Sequence, residues 1–327
     1  MNTNKFRRNL AMSLCILTCI SSAVSFCGCE DGNISSSTAE QTATAASLTQ
    51  STADEANATD ALEKLGIDAK TLGIEPNILH DTENPVGFQL NMPDEGDTIA
   101  VVNTSMGDFT MRFFPEQAPK AVTNFINLAK ENKFDNTTFH RVVNDFIVQG
   151  GHCGSDENMP NGTSSYGSDF EDEFCDKLFN IRGAVSMATT SRDSNGSQFF
   201  VNQTSAEQFE QNGGWPRFEE MWQTVKTQLS NYKDSNLLSA FIDKNGNNCY
   251  NTDIVPDDVR KLYEEYGGNP YLDGAYNAVD RGQTVFAQVI DGMDVIDKIA
   301  NVEVDENDTP VENVVIESVE MTSYSTN

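Results

Sequence analysis

The sequence predicts a mostly β domain preceded by a non-globular leader and stalk, and three observations carry that prediction. From about Asp97 to Met321, short runs of β-branched, aromatic and aliphatic residues recur, bounded by Gly, Asn, Asp or Pro. Only a few stretches in this span repeat their apolar residues with the 3.6-residue period of a helix. Before it, residues 30–59 are Ser, Thr, Ala, Gln and Asn with almost no large apolar side chain. Such a segment buries too little surface to offset chain entropy, so it reads as a flexible stalk.

In chain order, Lys5, Arg7 and Arg8 precede an apolar, uncharged run from Leu10 to Phe26. This reads as a secretory signal peptide spanning residues 1–29. Its end, Phe26-Cys27-Gly28-Cys29, resembles a bacterial lipobox, in which the cysteine after a small residue is lipidated. Cys29 is the expected lipidation site. The expected location is therefore extracytoplasmic, with a lipid anchor in the bacterial cell membrane. No later apolar stretch approaches the ~20 residues of a transmembrane helix.

Residues 60–95 read as an extended lead-in, with a short helix around Ala61 to Leu65 stopped by Gly66, then Pro76, Pro85 and Pro93. The domain spans residues 96–322. Thr98 to Asn103 and Asp108 to Phe114 are strands joined around Met106-Gly107. Pro119 opens a helix to about Asn132, with Ala121, Phe125, Ile126 and Leu128 on its apolar stripe. Strands are expected at 138–143, 145–149, 183–187, 198–202 and 284–290. A helix from Met293 to Ala300 follows, burying Val295, Ile296 and Ile299, and Val311 to Met321 supplies a last strand.

Within residues 205–268, Trp215, Phe218, Trp222, Val225 and Leu229 follow helical spacing, and a second helix runs from Pro256 through Val259, Leu262, Tyr263 and Tyr266 to Gly267-Gly268. These stripes predict packing against the rest of the domain in preference to a partner groove. The run Asp243 to Asn247 resembles a calcium loop, but Asn248 stands where glycine is required and Ile254 where the bidentate glutamate is, so no EF-hand is expected.

Composition excludes several functions. Beyond the leader, 18 Lys plus Arg face 50 Asp plus Glu, a formal net charge of −32, which disfavours nucleic acid as a partner. Four of the seven cysteines, Cys15, Cys19, Cys27 and Cys29, lie in the leader. The remaining Cys153, Cys175 and Cys249 allow at most one disulfide, with a free thiol expected. His80, His140 and His152 have no metal-ligand spacing, so neither metal nor other cofactor is expected.

Two segments carry the chemistry, FHRVVNDFIVQGG at 139–151 and GAVSMATTSRDSNGSQFF at 183–200. Arg141 lies in a strand-like run, and Phe146, Ile147 and Gln149 follow the turn Asn144-Asp145; Asn195-Gly196 then feeds Gln198, Phe199 and Phe200 into another strand. Taken singly, the Arg and Gln would be a solvated strand face and the phenylalanines ordinary core. Taken together and in this order, the segments resemble the signature of the cyclophilin family of peptidyl-prolyl cis-trans isomerases.

That resemblance implies a closed antiparallel β-barrel capped by two α-helices, with residues 205–268 as a helical insertion. It also implies an enzyme that accelerates folding of secreted or surface proteins. Isomerising an X-Pro bond crosses a barrier of roughly 18–20 kcal/mol without making or breaking a bond. A fixed guanidinium donating to the proline nitrogen as it loses resonance is favoured most in the twisted transition state.

By the resemblance, Arg141 and Gln149 are catalytic, and Phe146, Ile147, Phe200 and Leu272 wall the proline pocket. Gln198 orients the arginine and substrate backbone with Gln149, and Ala188 and Thr189 mark where main chain pairs with a bound peptide, Thr189 replacing an asparagine. Tyr271 stands for the family's pocket tryptophan and Gln283 for its pocket histidine, departures that imply altered inhibitor and substrate preference more than lost activity. The implied partners are Pro-containing peptides and unfolded secreted proteins. The rival reading is a surface lipoprotein carrying a non-catalytic Pro-peptide-binding or chaperone module.

Overall fold

The computed structural model describes residues 60–154, 160–232 and 235–326. The expected signal peptide, Cys29 and the stalk lie outside the described residues. The described chain begins with α1 (Asp60–Lys64) and β1 (Ile78–Leu79), then the hairpin β2 (Thr98–Thr104) and β3 (Gly107–Phe113), and α2 (Pro119–Lys130). Next come β4 (Thr137–Thr138), β5 (Arg141–Val143), β6 (Ile147–Gly150), β7 (Phe174–Cys175), β8 (Ala184–Met187) and β9 (Phe199–Asn202). Residues 205–268 hold α3 (Ala206–Gln211), α4 (Gly214–Asn231), α5 (Ser235–Asn245) and α6 (Asp257–Tyr266). The chain ends with β10 (Val285–Asp291), α7 (Met293–Ala300) and β11 (Val315–Ser323).

Nine strands form one antiparallel sheet in the order β4-β11-β2-β3-β10-β8-β9-β6-β5. The sheet curls strongly into a half-barrel but does not close, which corrects the closed barrel expected from the sequence. The two edges of the sheet meet at the single strand expected over 138–143. Its first part pairs with β11 and its last part with β6, so Phe139 and His140 carry the chain from one sheet edge to the other without a ladder. The crossing passes close over Gly150, where a Cβ would come within 2.8 Å of the Phe139 ring and 2.9 Å of the Thr138 carbonyl. Only glycine leaves that space.

Register decides what each face of the sheet does. Val142, Val148, Val201 and Val185 stand opposite one another across β5, β6, β9 and β8, and all are buried in the main core. Paired residues share a face, so the flanking residues of these strands point the other way. Helices α2 and α7 cap the main core with Ala121, Phe125 and Leu128 and with Val295, Ile296 and Ile299. Phe125 anchors it, its ring centroid 4.8 Å from Phe134 and 5.5 Å from both Phe199 and Phe286.

The helical stripes of the insertion pack on the sheet. Phe209, Trp215, Phe218, Val259, Leu262 and Tyr263 share a cluster with Phe114, Phe179, Ile181 and Val285. At roughly 1.5–3 kcal/mol per large side chain buried, these residues belong to the core. The lead-in joins them. Leu62, Ile67 and Ile74 pack with Trp222, Val225, Leu229, Phe241 and Ile242 in a third cluster. Gln89 then stitches this segment to the sheet, donating to Phe179 O and Gln288 Oε1 and accepting from Phe179 N, all at 2.9 Å. Strand β1 pairs in parallel with β7. Cys153, Cys175 and Cys249 are all buried free thiols. Among the described residues no helix is long and apolar enough to cross a membrane.

Candidate functional site

The strand faces opposite the valine row carry the residues singled out from the sequence. Arg141 pairs with Gln149 across β5 and β6, Gln149 with Phe200 across β6 and β9, and Phe200 with Ser186 of β8. Ile147, two residues before Gln149, shares its face. The hairpin between β5 and β6 turns through Asp145 at φ 62°, a left-handed position that Asp tolerates, and so brings Phe146 back beside the row.

Ile147, Ala188, Phe200 and Leu272 form a small apolar cluster, separate from the main core, with Phe146 and Tyr271 packed against it. Tyr271 and Leu272 come from a 3-10 turn, Pro270–Leu272. Tyr271 stacks on Phe146 with centroids 6.4 Å apart and planes 10° apart. Its other neighbour is Phe218 of α4, stacked at 6.1 Å and 24°. The far wall of the cluster is thus backed by the insertion. Burial pushes the Tyr271 phenol up to about 12, while the Arg217 and Arg141 guanidiniums pull it the other way.

The polar residues form a chain beside this cluster. Gln149 donates to Gln198 Oε1 at 2.8 Å, and the Gln198 amide nitrogen lies 2.8 Å from His152 Nδ1 and donates to Pro160 O at 2.9 Å. Gln149 Nε2 is thus held by Gln198, and among the described residues Gln149 Oε1 accepts no hydrogen bond from the arginine. Arg141 is left about one-third exposed, with the Asp308 carboxylate 4.0 Å from its Nε, beyond hydrogen-bond reach. Among the described residues its guanidinium donates no hydrogen bond. Strand pairing sets Arg141 beside Gln149, which in turn pairs with Phe200 of the apolar cluster. Nearby, burial first and His152 second lower the pKa of His140, whose Nδ1 is buried without a partner.

Ala188 and Thr189 are less available than the resemblance implies. Ala188 N donates to Gln198 O at 2.9 Å, and Thr189 donates to Gln283 Oε1 through both N, at 3.0 Å, and Oγ1, at 3.2 Å. Gln283 itself is held by Leu272 O at 2.8 Å. It acts as a tie between the 188–189 loop and the far wall. Pairing of a peptide with the Thr189 N–H would require Gln283 to release it.

Sequence reasoning missed Phe218 and Arg217 as neighbours of the site, and His152 as a partner of Gln198. The helical stripe marked Phe218 as buried, but nothing local connects it to Tyr271, more than fifty residues away. His152 follows Gly151 directly after the first signature segment, and its position there was the available signal.

A curled antiparallel sheet thus carries an arginine and two glutamines beside a small apolar cluster. The chain matches the profile of the cyclophilin type peptidyl-prolyl cis-trans isomerase/CLD family over residues 99–225 and 267–321. It is 36% identical over 234 residues to a Staphylococcus aureus protein named as a peptidyl-prolyl cis-trans isomerase, covering 71% of this chain and 96% of that one. A Streptococcus pyogenes relative, named as a bifunctional phosphatase/peptidyl-prolyl cis-trans isomerase, is 35% identical over 272 residues; the match covers 80% of this chain but only 44% of the relative. A crystal structure of a Cryptosporidium parvum cyclophilin type isomerase, obtained in the presence of the dipeptide Ala-Pro, aligns with TM-score 0.43 and 22% identity over 69% of this chain and 99% of that one. The chain belongs to the cyclophilin-type peptidyl-prolyl cis-trans isomerase family. The stretch between the two matched segments, residues 226–266, falls inside the helical insertion.

Proposed function

We propose that the protein catalyses cis-trans isomerisation of X-Pro bonds in secreted or surface proteins, using Arg141 at the mouth of the pocket formed by Phe146, Ile147, Phe200 and Leu272. The observation that carries this reading is the row Arg141-Gln149-Phe200, which sets an unspent guanidinium edge beside an apolar wall. A proline ring held by that wall presents its nitrogen to the arginine. As the amide twists, the nitrogen gains a lone pair, and the hydrogen bond it accepts strengthens toward the transition state. No metal, nucleophile or proton transfer enters. Relaxation of a short X-Pro peptide from its cis-enriched state tests this directly: catalytic amounts of protein should accelerate it, and an unchanged rate contradicts the reading.

The sequence supports a location outside the cytoplasm, tethered through Cys29. Cys29→Ser should move the protein from the membrane fraction to the soluble fraction and remove the mass of a diacylglycerol modification. Parent-like partitioning of the variant would rule Cys29 out as the anchor.

A further inference from the structure

Seven arginines lie in the described residues. Arg141, Arg182, Arg192, Arg260 and Arg281 each have a carboxylate within 4.0 Å, and Arg112 donates to Asn91 O. Arg217 has neither a carboxylate within that distance nor a side-chain hydrogen bond among the described residues. In a chain whose formal net charge is −29, acidic groups are plentiful, yet none of the described ones lies within that distance of Arg217.

The position of Arg217 gives that edge a use. It sits on α4, half-buried, with its guanidinium 5.4 Å from the centroid of the Phe218 ring. Phe218 stacks on Tyr271, which stacks on Phe146 of the proline pocket. Both Arg217 and Arg141 are close enough to pull on the Tyr271 phenol against its burial. Arg217 thus sits at the end of a run of aromatic contacts, Phe218 to Tyr271 to Phe146, that leads from the insertion to the apolar cluster of the site. An aromatic face under a guanidinium holds its plane while leaving the N–H edge unspent, and that planar fork matches a carboxylate.

We propose that Arg217 gives the site a preference for proline segments that carry a carboxylate side chain, Asp or Glu, within a few residues of the proline. The inference rests on the proline-pocket reading above and adds a substrate class to it. Because the cation is partly solvated, the preference is modest and screened by salt.

The test uses capped, C-terminally amidated peptides with one proline, in which Glu or Gln is placed in turn at each of three positions on either side. Amidation removes the terminal carboxylate as an alternative source of charge. For each peptide, kcat/KM is taken from cis-trans relaxation and Kd from titration, at low salt and at about 0.5 M salt. At one position or more, Glu should be favoured over Gln by about two- to fivefold at low salt, with the ratio shrinking at high salt. Arg217→Gln should bring the ratio near one, and Arg217→Lys should retain part of it. The proposal is overturned if Glu is favoured nowhere, or if the preference survives Arg217→Gln. The two readings separate cleanly. Arg217-dependent binding without isomerisation keeps the preference and sinks the catalytic reading, isomerisation without preference does the reverse, and absence of binding overturns both.

Discussion

The sheet wall of the pocket, Arg141, Gln149, Ile147 and Phe200, comes from three adjacent strands whose opposite face is the valine row of the main core. The far wall, Tyr271 and Leu272, is a single 3-10 turn held by Phe146 on one side and by Phe218 of the insertion on the other. On the first wall the side chains are fixed by register, since a one-residue slip would exchange Arg141 for Val142 and bury a charge. The second wall has no ladder behind it and depends on packing. Changes in the sheet wall should therefore alter the chemical step, and changes in the insertion should alter stability and binding.

The largest effect that would break this contrast is in α4. Trp222 is fully buried against the lead-in and donates to Asp253 Oδ2 at 2.9 Å. Trp222→Ala should cost about 3–5 kcal/mol by chemical denaturation, while kcat/KM per folded molecule stays within about twofold. A large loss of activity in the folded variant would mean that the insertion governs both walls.

Next is a pH effect at the far wall. Asp273, directly after Leu272, is buried and accepts from Tyr263 Oη at 2.6 Å and from Asn180 N at 2.8 Å; desolvation raises its pKa to about 7. The folded state thus binds this proton more tightly than the unfolded chain. Its stabilising contribution is complete below the unfolded pKa, near 4, and is lost as pH rises toward about 7. Asp273→Asn should flatten that slope, worth on the order of 4 kcal/mol across the window, when unfolding midpoints are compared from about pH 4 to 8. An unchanged slope would show that another group carries it.

The smallest effect sharpens the contrast most. Phe218→Ala removes the back of Tyr271 without touching the sheet wall, and should raise KM for a short Pro peptide about two- to tenfold with kcat little changed. Phe218→Leu should restore part of the affinity. An equal fall in kcat would place the insertion in the chemical step.

The sheet wall was legible because alternation and turn signals act locally: Asn144-Asp145 sets the hairpin phase that lines up Arg141 with Gln149. Asn195-Gly196, read as a turn, instead lies in the long β8–β9 loop, whose turn falls at Arg192-Asp193 while Asn195 bridges to Phe170. What closes or opens the sheet was not legible. Phe139 and His140 continue a strand-like run, and the room for the crossing is left by Gly150, a contact created only by folding. The lead-in was read as extended because Leu62, Ile67 and Ile74 are sparse; they acquire a partner surface only in Trp222, Val225 and Leu229, far along the chain. Helices α3 and α5 lacked a strong stripe in the sequence. Gln283, read as a replaced pocket residue, turns out to hold Thr189, because a side-chain amide can meet both a backbone N–H and a hydroxyl.

The central claim is that one guanidinium, set by strand register, does the catalysis. The most direct measurement is the rate of cis-trans relaxation of a Pro peptide with Arg141→Ala and Arg141→Lys beside the parent, each checked for an unchanged unfolding midpoint. Arg141→Ala should lose about ten- to a thousandfold in kcat/KM and Arg141→Lys should recover only part, because one preorganised charged donor is removed or loses its planar fork. A properly folded Arg141→Ala protein that isomerises the peptide at the parental rate would contradict the account.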